Sequence, residues 1–524
     1  MIARSPDFDL GLDRARIKDL RDARRQESTV DTVLSRFYDG DPTQQVHLQV
    51  VADEVGMGKT FVALAAAYSV LSFMKNGGAH PDLQGCLSKI LIVTPQNTAL
   101  AAKWQREVGE FVRRCVHPDR RQEVATWFRA RPVDRWDELV EAVRGRGLAA
   151  SILVARMSLF QGARYYNYDV KRRFLLGCLF RHWSGAFRND ARERLLKGAP
   201  ESWPRRPDEL GDLSDAEREL VPFDWDDVSG ALSRKSDARE LADDLLMLCK
   251  DVAAPFVRDR DQKFREISDK LNGLYTALCV ALLRRDFPLV IVDEAHNWKN
   301  GPSRGTNGYQ HFSTRIAPHT RRALLLTATP FQLRPEEMLE LLKISDDLRP
   351  TSDGDAADQR CATMKTLRED VIRPVLKNSE SASQDFSAAW AKLPSSVTTA
   401  ALADGWESPS IVRGREELRR VASEPGVIDH VVLTALVNAA VSEVAPETRD
   451  LLRQALRLYA YNHDLSSELG RIVVRHRRGT AHRAFLVGAE YVERDRAALL
   501  RPDRHVLHGS VGIEVAGEAE LPHY

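Results

Sequence analysis

The chain predicts an α/β protein: a parallel sheet covered by helices, with a large helical insertion and a helical C-terminal extension. Three observations carry this expectation. Compact runs rich in Val, Ile and Leu recur at 46–52, 91–93, 288–292 and 324–326 without polar alternation, as strands buried on both faces do. Each is followed by residues that carry chemistry, and ligands of open parallel sheets gather at strand C-termini. Between and after these runs, apolar residues are spaced at three and four, the helical period.

The elements follow in order. The triplet Arg24-Arg25-Gln26 precedes an apolar helical pattern. The strand at 46–52 leads into Asp53-Glu54-Val55-Gly56-Met57-Gly58-Lys59-Thr60, and 61–74 reads as a helix. Gly56 and Gly58 permit a tight loop whose N–H groups, with the helix N-terminus, cradle phosphates. Lys59 then reaches the β- and γ-phosphates and the Thr60 hydroxyl ligates Mg²⁺. Asp53 stands where such a loop usually begins with glycine. After the strand at 288–292 come two carboxylates, Asp293 and Glu294. Phosphoryl transfer needs one acid to hold the metal and one group to orient water; Asp293 is assigned the first role and Glu294 the second. ATP and Mg²⁺ are the cofactors this pattern expects.

Residues 161–287 read as a helical insertion, with helices at 238–250 and 264–283 and a polar, proline-bearing loop near 198–207. Within it, Tyr165, Tyr166 and Tyr168 beside Lys171, Arg172 and Arg173 form either a nucleic-acid-facing patch or an ordinary helix with packed aromatics. Beyond residue 330, helices are expected at 336–344, 416–422, 431–444 and 448–461, a polar loop at 351–357 and a serine-rich break at 379–387. Nothing there reads as a second parallel sheet. The expected units are 1–160 and 288–345 for the two halves of the sheet lobe, 161–287 for the insertion, 346–480 for the extension and 481–524 for a linker.

Charge is balanced, with 76 basic and 75 acidic residues, so contact with a polyanion must be a local patch. The six cysteines form no C-x-x-C pair, which argues against zinc or a disulfide framework and for a reducing compartment. No apolar run approaches membrane-spanning length. A cytoplasmic protein without membrane contact is expected.

Together these blocks resemble the first RecA-like lobe of superfamily 2 helicases of the Swi/Snf type, a class of double-stranded DNA translocases. Residues 52–60 resemble the family's "ADEMGLGKT", where aspartate also takes the first glycine position. Asp293-Glu294-Ala295-His296-Asn297-Trp298-Lys299-Asn300 is similar to "DEAHxxKN". Leu326-Thr327-Ala328-Thr329-Pro330-Phe331-Gln332 looks like "LTGTPxQN" in the alanine form, with Leu333 where asparagine is usual. Leu91-Ile92-Val93-Thr94-Pro95 with Trp104 and Glu107 resembles the DNA-contacting block, and 152–159 the next one. The resemblance implies a DNA-dependent ATPase with Gln26 reading adenine. It implies that His296, Thr327 and Thr329 couple nucleotide state to movement, and that Thr94, Pro95 and Ser158 face the phosphodiester backbone. The flavour is that of bacterial translocases associated with RNA polymerase or phage defence.

Such motors close their site with a second RecA-like lobe carrying an arginine finger, and no such block is evident. Leu469-Gly470-Arg471-Ile472-Val473-Val474-Arg475-His476-Arg477-Arg478 lacks the glutamine and the arginine spacing of the finger motif, and no sheet-forming stretch precedes it. It better resembles the basic segment leading to the second lobe, with Arg471, Arg475, Arg477 and Arg478 as nucleic-acid contacts. The second lobe is then expected in cis or in a partner chain. Two other classes stay open: an ATP-binding regulatory or scaffold protein without turnover, and an unrelated P-loop enzyme such as a kinase, which has no need of His296 or of 327–330.

Overall fold

The computed structural model describes residues 2–474 except 18, 39–44, 54–55, 146–149, 161–167, 202, 207–209, 211–212, 219, 299–306 and 328–334. Its centre is one sheet of seven strands: β1 (Leu48–Val51), β2 (Ile90–Thr94), β3 (Ala130–Val133), β4 (Ile152–Arg156), β5 (Val290–Val292), β6 (Ala323–Leu326) and β7 (Val473–Val474). The order is β3-β4-β2-β5-β6-β1-β7 and every pairing is parallel. A parallel pair cannot be joined by a hairpin, so each connection must cross over one face.

Both faces are buried, and the strands divide their side chains between them by the two-residue period. Val51, Ile90, Ile92, Ile152, Val154, Ile291, Leu324 and Leu326 pack against helices α1 (Leu20–Tyr38), α2 (Lys59–Lys75) and α3 (Thr98–Arg114). Val50, Leu91, Val93, Leu153, Ala155, Val290, Val292, Ala323 and Leu325 belong to the opposite core. That second core is shared with the insertion, whose Leu176, Leu179, Leu245, Leu274 and Leu278 are part of it. The insertion is therefore the cover of one sheet face, not a module added outside the core. Its main helices are Tyr168–His182, Asp237–Val252 and Arg260–Ala281.

The extension has a separate core, from Ala382 and Phe386 through Trp406, Leu418, Leu433 and Leu452 to Tyr461. The expected break at 379–387 is instead the middle of the helix Arg373–Ala391. Ala382, Phe386, Ala389 and Trp390 are buried on one side of it, while Ser387 returns its hydroxyl to the Ser383 carbonyl at 2.9 Å. Apolar spacing outweighs the serines there. The polar loop expected at 351–357 ends early, because Asp353 caps the helix Gly354–Thr366 by accepting from the amides of Asp355 and Ala356.

The two edge strands were not foreseen. The edge strand β3 carries Pro132, tolerable at an edge, and the helix Trp136–Val143 follows it. At the other edge, the segment 469–478, read as a basic approach to a second lobe, returns to the sheet as β7. The Val50 and Ala52 amides donate to the carbonyls of Ile472 and Val474 at 2.9 and 2.8 Å. Val473-Val474 is too short for periodicity to reveal. Among the described residues there is no further sheet, and no helix is long and apolar enough to cross a membrane.

Candidate active site

Because all strands run the same way, every strand C-terminus lies on one edge of the sheet. Across that edge stand Ser158 after β4, Thr94 and Pro95 at β2, Asp293 after β5, Thr327 after β6 and Asp53 after β1. Residues far apart in sequence are thus brought into one row, with a single strand between the lysine-bearing loop and the paired carboxylates.

The loop after β1 is held from below by the N-terminal segment. Asp53 is fully buried, and a buried carboxylate without a counter-charge is costly. Arg25 neutralises it, Nη1 lying 3.1 Å from Oδ2. The Arg25 Nη2 and the Gln26 amide both donate to the Met57 carbonyl, at 2.8 and 3.1 Å. Gly56 and Gly58 take φ of 82° and 89°, the left-handed region. A Cβ on Gly58 would lie 2.3 Å from the Gln26 amide nitrogen. Gln26, expected to read adenine, has its side chain buried behind the loop, donating to Met57 and accepting from Arg16 at 3.3 Å.

α2 begins at Lys59, so Lys59 and Thr60 occupy its first turn, where the helix dipole favours anions and no acidic residue intervenes. The Lys59 ammonium donates to the Asp53 carbonyl oxygen. Partial burial lowers its pKa, and the fields of Asp53, Glu294 and Asp293 oppose that shift. The lysine and the two acids therefore face one another electrostatically.

Asp293 is held by two donors. The Trp104 indole N–H meets Oδ2 at 2.7 Å and the Glu294 amide meets Oδ1 at 3.0 Å. Glu294 adopts φ 49°, an uncommon conformation for a side-chain-bearing residue. Its corner is stabilised by Asn297, whose backbone and side-chain N–H groups donate to the Glu294 carbonyl at 3.0 and 2.8 Å. His296 Nδ1 lies 3.3 Å from both Glu294 Oε2 and Thr327 Oγ1. Thr327 in turn continues the ladder, its amide donating to the Val51 carbonyl at 3.1 Å.

Other expected site residues are distributed less uniformly. Thr94, expected to face a phosphodiester backbone, is fully buried, its hydroxyl 3.4 Å from the Ala155 carbonyl. Pro95 and Ser158 are half-buried at the same edge. Arg471 pairs with Glu468 at 3.2 Å just before β7. Lys171, Arg172 and Arg173 are paired with Asp137, Asp169 and Glu217, and Arg172 lies over the Trp203 ring, which is the packed-helix arrangement. Thr329, Arg475, Arg477 and Arg478, with Tyr165 and Tyr166, lie outside the described residues.

Three contributors were not assigned these roles from sequence: Arg25, Arg16 and Trp104. Arg25 and Trp104 were visible as neighbours of recognised blocks, but nothing in spacing pairs Trp104 with an acid 189 positions away. Among the described residues no group of three His, Cys, Asp or Glu could hold a metal unaided. The chain matches no protein-family model, and no curated protein matches it.

Proposed function

We propose that this chain is the ATP-binding motor lobe of a DNA-dependent ATPase of the Swi/Snf type, coupling ATP hydrolysis to movement on duplex DNA. The observation that carries the reading is the meeting, at one sheet edge, of Lys59 and Thr60 on a helix N-terminus with Asp293 and Glu294. A helix N-terminus and an ammonium bind phosphate, and paired carboxylates serve metal and water.

Thr60 and Asp293 offer a hydroxyl and a carboxylate oxygen, the hard donors that Mg²⁺ takes together with nucleotide phosphates and water. When bound, the ion would neutralise charge on the β- and γ-phosphate oxygens. Lys59 leaves the Asp53 carbonyl for the phosphates, and Glu294 orients the attacking water and accepts its proton. His296 connects that carboxylate to Thr327 at the end of the neighbouring strand, a path by which the state of the site reaches the following segment. Pro95 and Ser158, half-buried on the same edge, would make phosphodiester contacts, which grip without reading sequence. A second RecA-like lobe, in cis or in a partner chain, completes the site, and a cytoplasmic location goes with the substrate.

Calorimetry with Mg-ATP tests the reading. Lys59→Ala should lower affinity at least about tenfold, or roughly 1.4 kcal/mol. An unchanged dissociation constant would remove the phosphate-binding assignment.

A further inference from the structure

We propose that Trp104 is a positioning residue for Asp293, its indole N–H fixing the plane of the carboxylate that meets the metal. The inference rests on the nucleotide-binding reading above and goes beyond it by giving a role to a residue on a different element.

The geometry is specific. α3 follows β2 directly, capped by Asn97, whose side chain accepts from the Ala99 amide at 2.8 Å. On its inward side Trp104 is 2% exposed and belongs to the core shared with α2. An indole has one donor, and here it is spent on Asp293 Oδ2 at 2.7 Å, the short end of the N–H···O range. The other oxygen takes the Glu294 amide, which belongs to Asp293's own corner. One bond thus comes from the local turn and one from α3. Without the second, the carboxylate retains a single local donor and is free to rotate about its Cβ–Cγ bond. Partners of this kind orient a metal-binding carboxylate, and their removal typically costs 10–100-fold in metal affinity.

Bulk and donor can be separated by substitution. Trp104→Phe keeps an aromatic ring and removes the N–H. Trp104→His loses ring volume but keeps a nitrogen two bonds from Cγ, the position of the indole nitrogen. The full chain would be titrated with MgCl₂ in the presence of a fluorescent N-methylanthraniloyl ATP, and thermal unfolding followed in parallel.

Trp104→Phe should raise the half-saturating Mg²⁺ by about tenfold or more, while Trp104→His stays within about threefold of wild type. The opposite order, with Trp104→His impaired in proportion to its loss of Tm and Trp104→Phe unchanged, would assign Trp104 to packing and overturn the proposal. Unchanged Mg²⁺ dependence in both variants would overturn it too. If Trp104→Phe does not fold, Trp104→Leu provides a second donor-free comparison. Wild type and Lys59→Ala are run alongside: absence of Mg²⁺-dependent binding by wild type would sink the nucleotide reading and this role with it. Intact wild-type binding that Lys59→Ala weakens and Trp104→Phe leaves untouched would sink the positioning role alone.

Discussion

Lys171 of the insertion and Asp137 of the helix after β3 form an ion pair of 2.6 Å whose side chains are 4% and 7% exposed. The ammonium also lies over the Tyr275 ring at 5.1 Å, so one cation joins three elements. Removing one member of a buried pair leaves an uncompensated charge, worth about 3–5 kcal/mol when no other partner remains. Arg135 stays 3.2 Å from Asp137, so the loss for Lys171→Met should be smaller, on the order of 2 kcal/mol. Denaturant unfolding measures it. Replacing 161–287 by a short Gly/Ser linker should abolish cooperative unfolding, because that segment buries one face of the sheet. A soluble, cooperatively folding deletion would contradict the shared core.

Gly58 carries a further prediction. Its φ of 89° costs a residue with a Cβ roughly 1–2 kcal/mol, and the added carbon also meets the Gln26 amide. Gly58→Ala should therefore weaken Mg-ATP binding and destabilise the fold together. Adding Gln26→Ala relieves the contact but not the backbone strain, so recovery in the double variant should be partial. Full recovery would mean that strain contributes nothing.

Asp464 gives a pH dependence. It is fully buried, with Oδ2 accepting from the Ile428 amide at 3.1 Å and Oδ1 without a hydrogen-bond partner. Burial, with the Glu468 charge adding to it, pushes its pKa up from 3.8 to about 6. A folded-state pKa above the unfolded value means the native state holds the proton longer. Stability from this group is present below about pH 4 and lost as pH rises through about 6. Asp464→Asn keeps an acceptor for Ile428 and never ionises. It should be more stable than wild type at pH 7.5, by on the order of 1–3 kcal/mol, with the gap closing toward pH 4. Equal Tm values at both pH values would show that Asp464 is not penalised by ionisation.

The sheet was legible because doubly covered strands are uninterrupted apolar runs, and 46–52, 91–93, 288–292 and 324–326 all fall on observed strands or their immediate flanks. The lysine loop and the carboxylate pair were legible because their chemistry sits at fixed offsets from those runs. What was missed depends on partners distant in sequence. β7 is two residues long and exists only because β1 offers an open edge. The insertion looked detachable because its helices are amphipathic, and amphipathicity reveals that a face is buried but not against what. Trp104 and Arg25 were seen as members of blocks, while the carboxylates they hold lie on other elements.

The last prediction concerns turnover and follows from the proposed reading. An arginine finger contributes about 10³–10⁵ in rate where it has been supplied or removed. Among the described residues Arg471 is the basic candidate nearest β7, and its guanidinium is engaged with Glu468 at the base of that strand, at the end opposite to the lysine loop. The chain alone should therefore bind ATP yet hydrolyse it marginally, with little stimulation by duplex DNA. Adding a second RecA-like lobe, fused or as a partner chain, should bring DNA-stimulated turnover. Glu294→Gln should then abolish that turnover while leaving Mg-ATP binding intact, because the amide keeps the size of the side chain but cannot take the proton of the attacking water. Arg471→Gln should leave turnover unchanged if Arg471 only ties β7 to its helix. Robust DNA-stimulated hydrolysis by the 524 residues alone would overturn the need for a second lobe.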